Sequence, residues 1–215
     1  MTRRMFHLAA PALVLLPFGA LLVGGWAVTT VEDLPDYAVA GRPMPLTFSV
    51  RQHGFRPIDG LKPRVEALGG RELRTYTAAA GSTSGRYTTT ITLPRAGDWI
   101  ITIHSGFGNS RTTLMPLKAI APGSPAPPLL SEAERGRRLF AAKGCFTCHV
   151  EVRSGPDLHG KRYAKEYVTE LLADPERVFA RRQGTVAMPN LNLKPHEIAA
   201  LAAYLSTDKR VAAAR

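Results

Sequence analysis

Cysteine is scarce in this sequence: Cys145 and Cys148 are the only two among 215 residues. Such a low number excludes a disulfide-stapled scaffold, because small domains of that kind carry several cysteines. An all-cysteine zinc site is excluded as well. Both cysteines nevertheless lie in one short stretch, AAKGCFTCHV, with two residues between them. Their spacing therefore points to one functional site and not to a structural framework.

Charge is absent from a long N-terminal stretch, since no Lys, Arg, Asp or Glu occurs between Arg4 and Glu32. Residues 8–28 would span roughly 31 Å as a helix, about the thickness of a bilayer's hydrocarbon core. Arginines precede this run and acidic residues follow it, which predicts a cytoplasmic N-terminus. We therefore expect a single-pass anchor over residues 1–30, with the domains on the periplasmic side of the cytoplasmic membrane. A cleaved signal peptide is the alternative, and it leaves the domains on the same side.

Aromatic and acidic residues are also few. Aromatics make up 7% of the chain, and 17 acidic residues face 28 basic ones, for a formal net charge of +11. The excess is spread evenly, with +6 over residues 1–128 and +5 over residues 129–215. No dense basic run or aromatic-studded basic stripe occurs, so a nucleic-acid partner is not expected. The basic surface is suited to attracting acidic proteins or anionic lipid.

Residues 37–121 have the alternation of apolar and polar residues that is typical of β-strands. PLTFSV, GRYTTTITLP and DWIITIHSG each place their apolar residues on one face. Turn-forming stretches rich in Gly, Pro, Ser and Asp separate these segments. Six or seven short strands in this range predict an all-β sandwich of immunoglobulin-like type, without the disulfide of that fold.

The stretch APGSPAPPLL contains five Pro or Gly residues in ten, which predicts a semi-extended linker over residues 122–130. The periodicity then becomes helical. Ser131 and Glu134 predict a capping box at the start of a first helix, and Gly144 is expected to end it. AKEYVTELLADP and KPHEIAALAAYLST predict two further helices. The chain is thus predicted to be multidomain, with an all-α domain over residues 131–208.

His149 directly follows Cys148, which completes the pattern C-x-x-C-H. This pattern is the attachment signature of c-type haem, in which each thiol forms a thioether with a vinyl group and the imidazole ligates iron. A redox dithiol is expected near a βαβ pattern, which the sequence lacks, and zinc would need further ligands. The motif therefore predicts one covalently bound haem c.

Residues 130–208 resemble a class I cytochrome c domain. GRRLF, CFTCH, GPDL and VAMPNL carry the resemblance, and they occur in the order of the family. It implies that Pro156 offers its carbonyl to His149, that Leu158 packs against the haem, and that Met188 is the sixth iron ligand.

The same resemblance implies a contact between the first and last helices of the domain. Gly136 and Phe140 are expected on the first helix at this crossing. Leu201 and Tyr204 are expected opposite them on the last helix.

The position of Met188 in the sequence is a second reason to expect it as a ligand. Met188 is the only methionine after the haem motif, and it lies in a loop before Pro189 instead of on a helix face. A thioether suits low-spin haem iron, and a His/Met pair raises the reduction potential. His159 and His196 are the competing ligands. With both axial positions filled, electron transfer is expected in place of catalysis.

The sequence thus predicts a membrane-tethered electron carrier that moves on its linker between a reductase and a terminal oxidase or similar acceptor. A haem enzyme or sensor with a labile sixth ligand is one alternative. A copper or oxidase assembly factor is another, because the stretch TFSVRQHG loosely resembles small periplasmic sandwiches of the YtkA/FixH kind. Its candidate copper ligands are His53, His104, Met44 and Met115.

Overall fold

A computed structural model describes residues 25–158, 161–180 and 188–206. A β-rich region comes first and a helical region second, in the order that the sequence predicts. The β-rich region contains eleven strands: β1 Ala27–Val31, β2 Tyr37–Val39, β3 Pro43–Gln52, β4 Arg56–Pro57, β5 Arg64–Gly69, β6 Glu72–Thr77, β7 Ala79–Ala80, β8 Arg86–Thr92, β9 Gly97–His104, β10 Arg111–Thr113 and β11 Leu117–Ile120.

These strands form two sheets that share one core. The first has the order β1-β3-β8-β7, with β4 paired to β3, and the second has the order β2-β11-β9-β5-β6, with β10 paired to β9. Pairing is antiparallel except between β2 and β11. The alternation read from the sequence is reproduced by side chains that are fully buried: Leu46, Phe48, Val50, Trp99, Ile101 and Ile103.

The first strand corrects the predicted boundaries. β1 pairs with β3 from Ala27 opposite Gln52 to Val31 opposite Phe48, so the sandwich begins before the predicted residue 37 and takes in the end of the predicted anchor. All five residues of β1 are buried. A strand buried on both faces has no polar alternation to distinguish it from the apolar run before it.

The remainder of the predicted anchor, residues 1–24, lies outside the described residues. Within the described ranges, no helix combines the length and apolar character that crossing a bilayer requires.

The helical region contains α1 Glu132–Ala142, α2 Lys165–Ala173, α3 Pro175–Ala180 and α4 Pro195–Ser206, with a π-helical turn at Thr147–Glu151. The sequence predicted α1, α2 and α4, but it did not predict α3 or the π-helical turn. α3 begins directly after Asp174, whose Oδ1 accepts the N–H of Arg177 at 3.0 Å. An acidic cap followed by proline in the first helical position restarts the helix after α2 has ended.

Both predicted ends of α1 are observed. Ser131 is the N-cap, and its hydroxyl accepts the N–H of Glu134 at 3.2 Å. The Glu134 carboxylate does not complete the capping box, because it pairs with Arg137 at 2.7 Å instead. The helix ends at Ala142, and Gly144 follows with a φ of +74°.

The predicted crossing of α1 and α4 is present and depends on a glycine. A methyl group on Gly136 would overlap the carbonyl of Ala200 and lie 2.7 Å from the Cβ of Tyr204. Because the helices approach so closely, Phe140 packs edge-on against Tyr204 with ring centroids 5.8 Å apart. Leu201 is fully buried beside them.

The helical region is docked on the sandwich, which corrects the expectation that it moves freely on its linker. Residues 122–130 contain no helix or strand, as predicted, but α1 then packs back onto the sheets. Ala142 belongs to the sandwich core. Arg138 donates to the carbonyl of Asp36 at 2.7 Å, and Lys143 donates to that of Glu32 at 2.8 Å. These buried cations fix the helical domain in one orientation.

Candidate functional site

A cavity of about 710 Å³ lies in the helical domain, on the side that faces the sandwich. This volume falls within the range of about 300–1,000 Å³ that is usual for ligand and cofactor sites. Most of its wall is apolar and comes from α1, α2, α3 and α4, through Phe140, Val168, Leu172, Phe179 and Leu205. All six predicted site residues line it: Cys145, Cys148, His149, Pro156, Leu158 and Met188. The structure thus brings together groups that are 43 positions apart in the sequence.

The end of α1 and the π-helical turn place the attachment motif at the cavity. Cys145 follows Gly144, and Cys148 and His149 lie within the π-helical turn. A Cβ on Gly144 would lie 2.9 Å from the carbonyl oxygen of Thr29 in β1. Glycine is required here because the backbone has a positive φ and the sandwich leaves no room for a side chain.

His149 is oriented by a backbone carbonyl. Its Nδ1 lies 2.8 Å from the oxygen of Pro156, the contact that the resemblance implies. A carbonyl oxygen only accepts, so Nδ1 carries the proton and Nε2 keeps its lone pair. Gly155 lets the loop pass close to the ring, because a Cβ there would lie 2.7 Å from Cε1 of His149. The imidazole is therefore held in the tautomer that a metal ligand needs.

The two thiols are free, and their environment does not suit a redox dithiol. Burial raises the pKa of Cys145 to about 12. Burial also raises the pKa of Cys148, opposed by a hydrogen bond with Ser154. A reactive dithiol needs a lowered pKa, so that the thiolate is present at neutral pH. The described residues also contain no group of three His, Cys, Asp or Glu side chains placed to hold a metal ion such as zinc.

Met188 is the thioether that the fold brings to this cavity. It is half-buried and packs against the helical core. Of its competitors, His196 is exposed in the first turn of α4 and His159 lies outside the described residues.

The donor set fits a haem. Two thiols, one imidazole with a free Nε2 and one thioether meet at an apolar cavity, and these are the groups that attach and ligate haem c. The assignment of individual residues as attachment points and ligands remains a prediction.

Three residues of the sandwich line the same cavity: Trp26, His53 and Phe55. Sequence reasoning missed them, since Trp26 fell within the predicted anchor and His53 was a candidate copper ligand. The rings of Trp26 and His53 lie 5.1 Å apart. His104, the other histidine considered for copper, lines a separate cavity and lies 3.1 Å from a carboxylate oxygen of Glu66. No local pattern in the sequence indicates that the sandwich reaches this site.

Comparison with known proteins assigns the helical region. A family model described as cytochrome c oxidase, cbb3-type, subunit III, matches residues 131–205, about a third of the chain. The chain therefore contains a cytochrome c domain, which implies haem c binding and electron transfer. The finer class I assignment and the resemblance of the sandwich to YtkA/FixH-type proteins remain predictions. No curated protein matches the chain.

Several solved structures are weakly similar to the chain. A CARDB domain from Pyrococcus furiosus, in complex with di-metal ions, covers 44% of this chain and 87% of its own at 13% identity, with a TM-score of 0.29. A superoxide reductase (neelaredoxin) from Ignicoccus hospitalis covers 43% and 80% at 16% identity, with a TM-score of 0.31. Domains 4 and 5 of the S-layer protein SbsC cover 43% and 51% at 17% identity, with a TM-score of 0.30. Similarity of this degree assigns neither fold nor function.

Proposed function

We propose that this protein is a c-type cytochrome that transfers single electrons through one haem. In this proposal Cys145 and Cys148 attach the haem covalently, and His149 and Met188 ligate its iron. The observation that carries it is the convergence of two thiols, an oriented imidazole and a thioether on one apolar cavity. The match of residues 131–205 to a cytochrome family supports it.

The bound haem would supply a one-electron iron couple, and the chain's residues would set its properties. The carbonyl of Pro156 fixes the orientation of His149 and increases its basicity as a ligand. A thioether as second ligand favours the reduced state and so raises the potential. The apolar wall excludes water, which disfavours the more highly charged oxidised state. If His149 and Met188 both ligated the iron, they would leave no position on it for a substrate.

The partners follow from the family to which the domain is similar. Its description names subunit III of a cbb3-type cytochrome c oxidase, so we propose a terminal oxidase, or a similar acceptor, as the electron acceptor and a membrane reductase as the donor. We further propose that the apolar N-terminal segment anchors the protein, with the domains in the periplasm. Because the helical domain is docked on the sandwich, the two domains would move together as one rigid unit outside the membrane.

The decisive experiment combines extraction and spectroscopy. Acid–acetone treatment should leave the haem on the polypeptide, because thioether bonds survive it. The ferric protein should show the weak sulfur-to-iron charge-transfer band at the red end of the visible spectrum, and Met188→Ala should abolish this band and lower the potential.

Met115→Ala is the matched control, because Met115 lies in the sandwich between β10 and β11 and should leave both properties unchanged. Haem passing into the solvent would refute covalent attachment. A high-spin ferric wild type would favour the haem enzyme or sensor instead.

Membrane attachment has a separate test. Sodium carbonate washing should leave the full-length protein in the membrane fraction, and its N-terminal sequence should begin at or near Met1. A soluble product starting near the beginning of β1 would rule out the anchor and leave the haem assignment intact.

A further inference from the structure

We propose that the sandwich completes the haem site: the turn at residues 53–55, together with Trp26, forms one wall of the pocket and holds the loop that carries Met188. This inference rests on the proposed function, since it concerns a haem ligand. It gives the sandwich a specific task in tuning and protecting the haem.

The turn is fixed by its own hydrogen bonds. It lies between β3 and β4, where the N–H of Gly54 donates to the carbonyl of Arg51 at 3.2 Å and that of Phe55 to Gln52 at 3.0 Å. The N–H of His53 donates to the carbonyl of Trp26 at 3.1 Å. The turn and the start of β1 therefore form one unit.

That unit touches the loop directly after Met188. A Cβ on Gly54 would lie 2.7 Å from Cγ of Pro189 and 3.3 Å from its Cβ, so the backbone of the turn lies against the proline ring. Beside this contact, the Arg51 side chain donates to the carbonyl of Asn190 at 3.4 Å. The two residues that follow Met188 are thus both in contact with the sandwich.

The side chains of the same unit face the haem cavity. Trp26, His53 and Phe55 line it together with Met188 and Pro189. In this position they would shield the methionine side of the cavity from water or a small external ligand that could replace the sulfur.

Holding the loop would matter because Met188 would ligate the iron more strongly if its loop were already ordered. A free loop loses conformational entropy each time the sulfur binds, whereas a loop already fixed by the sandwich does not. Gly54 is therefore a positioning residue, acting through Pro189 on Met188.

The test compares two glycines with the same backbone conformation. Gly54 has a φ of +84° and touches Pro189, whereas Gly60 has a φ of +72° and nothing within 4 Å of its would-be Cβ. Gly54→Ala and Gly60→Ala should impose similar backbone strain, because both positions have a positive φ, but only the first should displace the Met188 loop. Imidazole is the probe, titrated into the ferric haem of the full-length protein.

We expect Gly54→Ala to increase the affinity for imidazole about tenfold, because imidazole would replace the Met188 sulfur more easily once the loop is displaced. Gly60→Ala should change this affinity less than about twofold. The sulfur-to-iron band should weaken in Gly54→Ala alone. Equal effects of the two variants would show that only backbone strain acts, and would overturn the inference. So would an unchanged Gly54→Ala.

A second pair of variants serves if Gly54→Ala does not fold. Phe55 and Leu73 are both exposed, at 52% and 56%, but only Phe55 lines the cavity. Phe55→Ala should raise the affinity for imidazole severalfold, and Leu73→Ala should not. Equal affinities would again overturn the inference.

The same spectra separate this inference from the proposed function. If the wild-type protein itself lacks methionine ligation, the proposed function is wrong, and the inference that rests on it is wrong as well.

Discussion

The sandwich and the helical domain are stabilised in different ways. The sandwich core is filled almost entirely by its own side chains, with Ala142 of α1 as the one contribution from the described helices, and Leu46, Phe48 and Trp99 are completely buried. In the helical core only Leu201 and Ala202 are completely buried, whereas the other members keep exposures of 4–9%. The helices surround a cavity that their own side chains do not fill. From this difference we expect the sandwich to fold largely on its own contacts, and the helical domain to depend on a bound group and on the sandwich.

The charged side chains also differ between the two regions, because those of the sandwich surface pair in contact with solvent and those between the domains are buried. The sandwich pairs Arg86 with Glu32 at its surface, where both side chains are more than a third exposed. Where the helical domain meets the sandwich, a region we call the joint, Lys143 donates to the sandwich carbonyl of Glu32 and forms an ion pair with Glu197 of α4 at 2.7 Å. Only 5% of each side chain of this pair is exposed. Burial also lowers the pKa of Arg138, whose guanidinium binds two carbonyls of the sandwich. A buried pair adds little net stability, but losing one partner is costly.

The largest effect is expected from removing both thiols. Cys145→Ala with Cys148→Ala should prevent covalent haem attachment, and the helical core then lacks the group that fills its cavity. Hydrogen exchange should become fast throughout α1, α2 and α4 and stay slow in β3, β8 and β9, because the sandwich core does not include the cavity.

Phe146→Ala is the matched control, since this residue lies between the cysteines and is 44% exposed. It should keep both the haem and the slow exchange of the helices. Equal exchange rates in the helices of the double variant and the wild type would contradict the dependence of this domain on its haem.

The next effect concerns the joint. Lys143→Met leaves the buried carboxylate of Glu197 without a countercharge, although it still accepts the N–H of Lys194. This should reduce the free energy of unfolding of the helical domain by about 3–5 kcal/mol. Urea unfolding followed by the haem absorbance measures this. Adding Glu197→Leu should restore most of the loss, because an apolar pair replaces the ion pair.

The exposed pair Arg137–Glu134 provides the contrast, with side chains 45% and 39% exposed. Arg137→Met should change the free energy of unfolding by less than about 1 kcal/mol. Equal losses for Lys143→Met and Arg137→Met would show that the joint is not stabilised by burial.

The two domains were also predictable to different degrees. Alternating residues such as Phe48 and Ile101 located the sandwich strands, because one face of each strand is apolar and the other is polar. Ser131 located the start of α1 through its cap. The C-x-x-C-H spacing located the candidate haem site, because the three residues of the motif line the cavity of the helical domain.

The contacts between domains were not predictable from local pattern. Gly54 touches Pro189, and Arg51 binds Asn190, across more than 130 residues of sequence. Arg138 lies in a charged stretch that is typical of an exposed helix face, yet it is buried against the carbonyls of Pro35 and Asp36. Only the packing of one domain on the other gives these residues their role.

The smallest effect is expected from lowering the pH, which should slightly reduce the stability of the sandwich. Hydrogen bonds from Arg86, at 2.6 and 2.8 Å, hold the pKa of Glu32 below its ordinary value of 4.5. A carboxyl whose pKa is lowered by folding stabilises the fold above its unfolded pKa, and this contribution is lost as the pH falls through the folded value. Stability should therefore decline as the pH drops from about 5 through the lowered pKa. Because both partners are partly exposed, the contribution should be less than about 1 kcal/mol.

Glu32→Gln should flatten this part of the pH profile, measured by urea unfolding with tryptophan fluorescence as the probe, because both tryptophans, Trp26 and Trp99, lie in the sandwich. Arg86→Met, which leaves the carboxyl in place without its partner, should flatten it equally. A wild-type slope in both variants would mean that the surface pair is not the source of the acid sensitivity. If either variant lost more free energy of unfolding than Lys143→Met, the comparison would be reversed, because the sandwich would then depend more on its ion pair than the joint does.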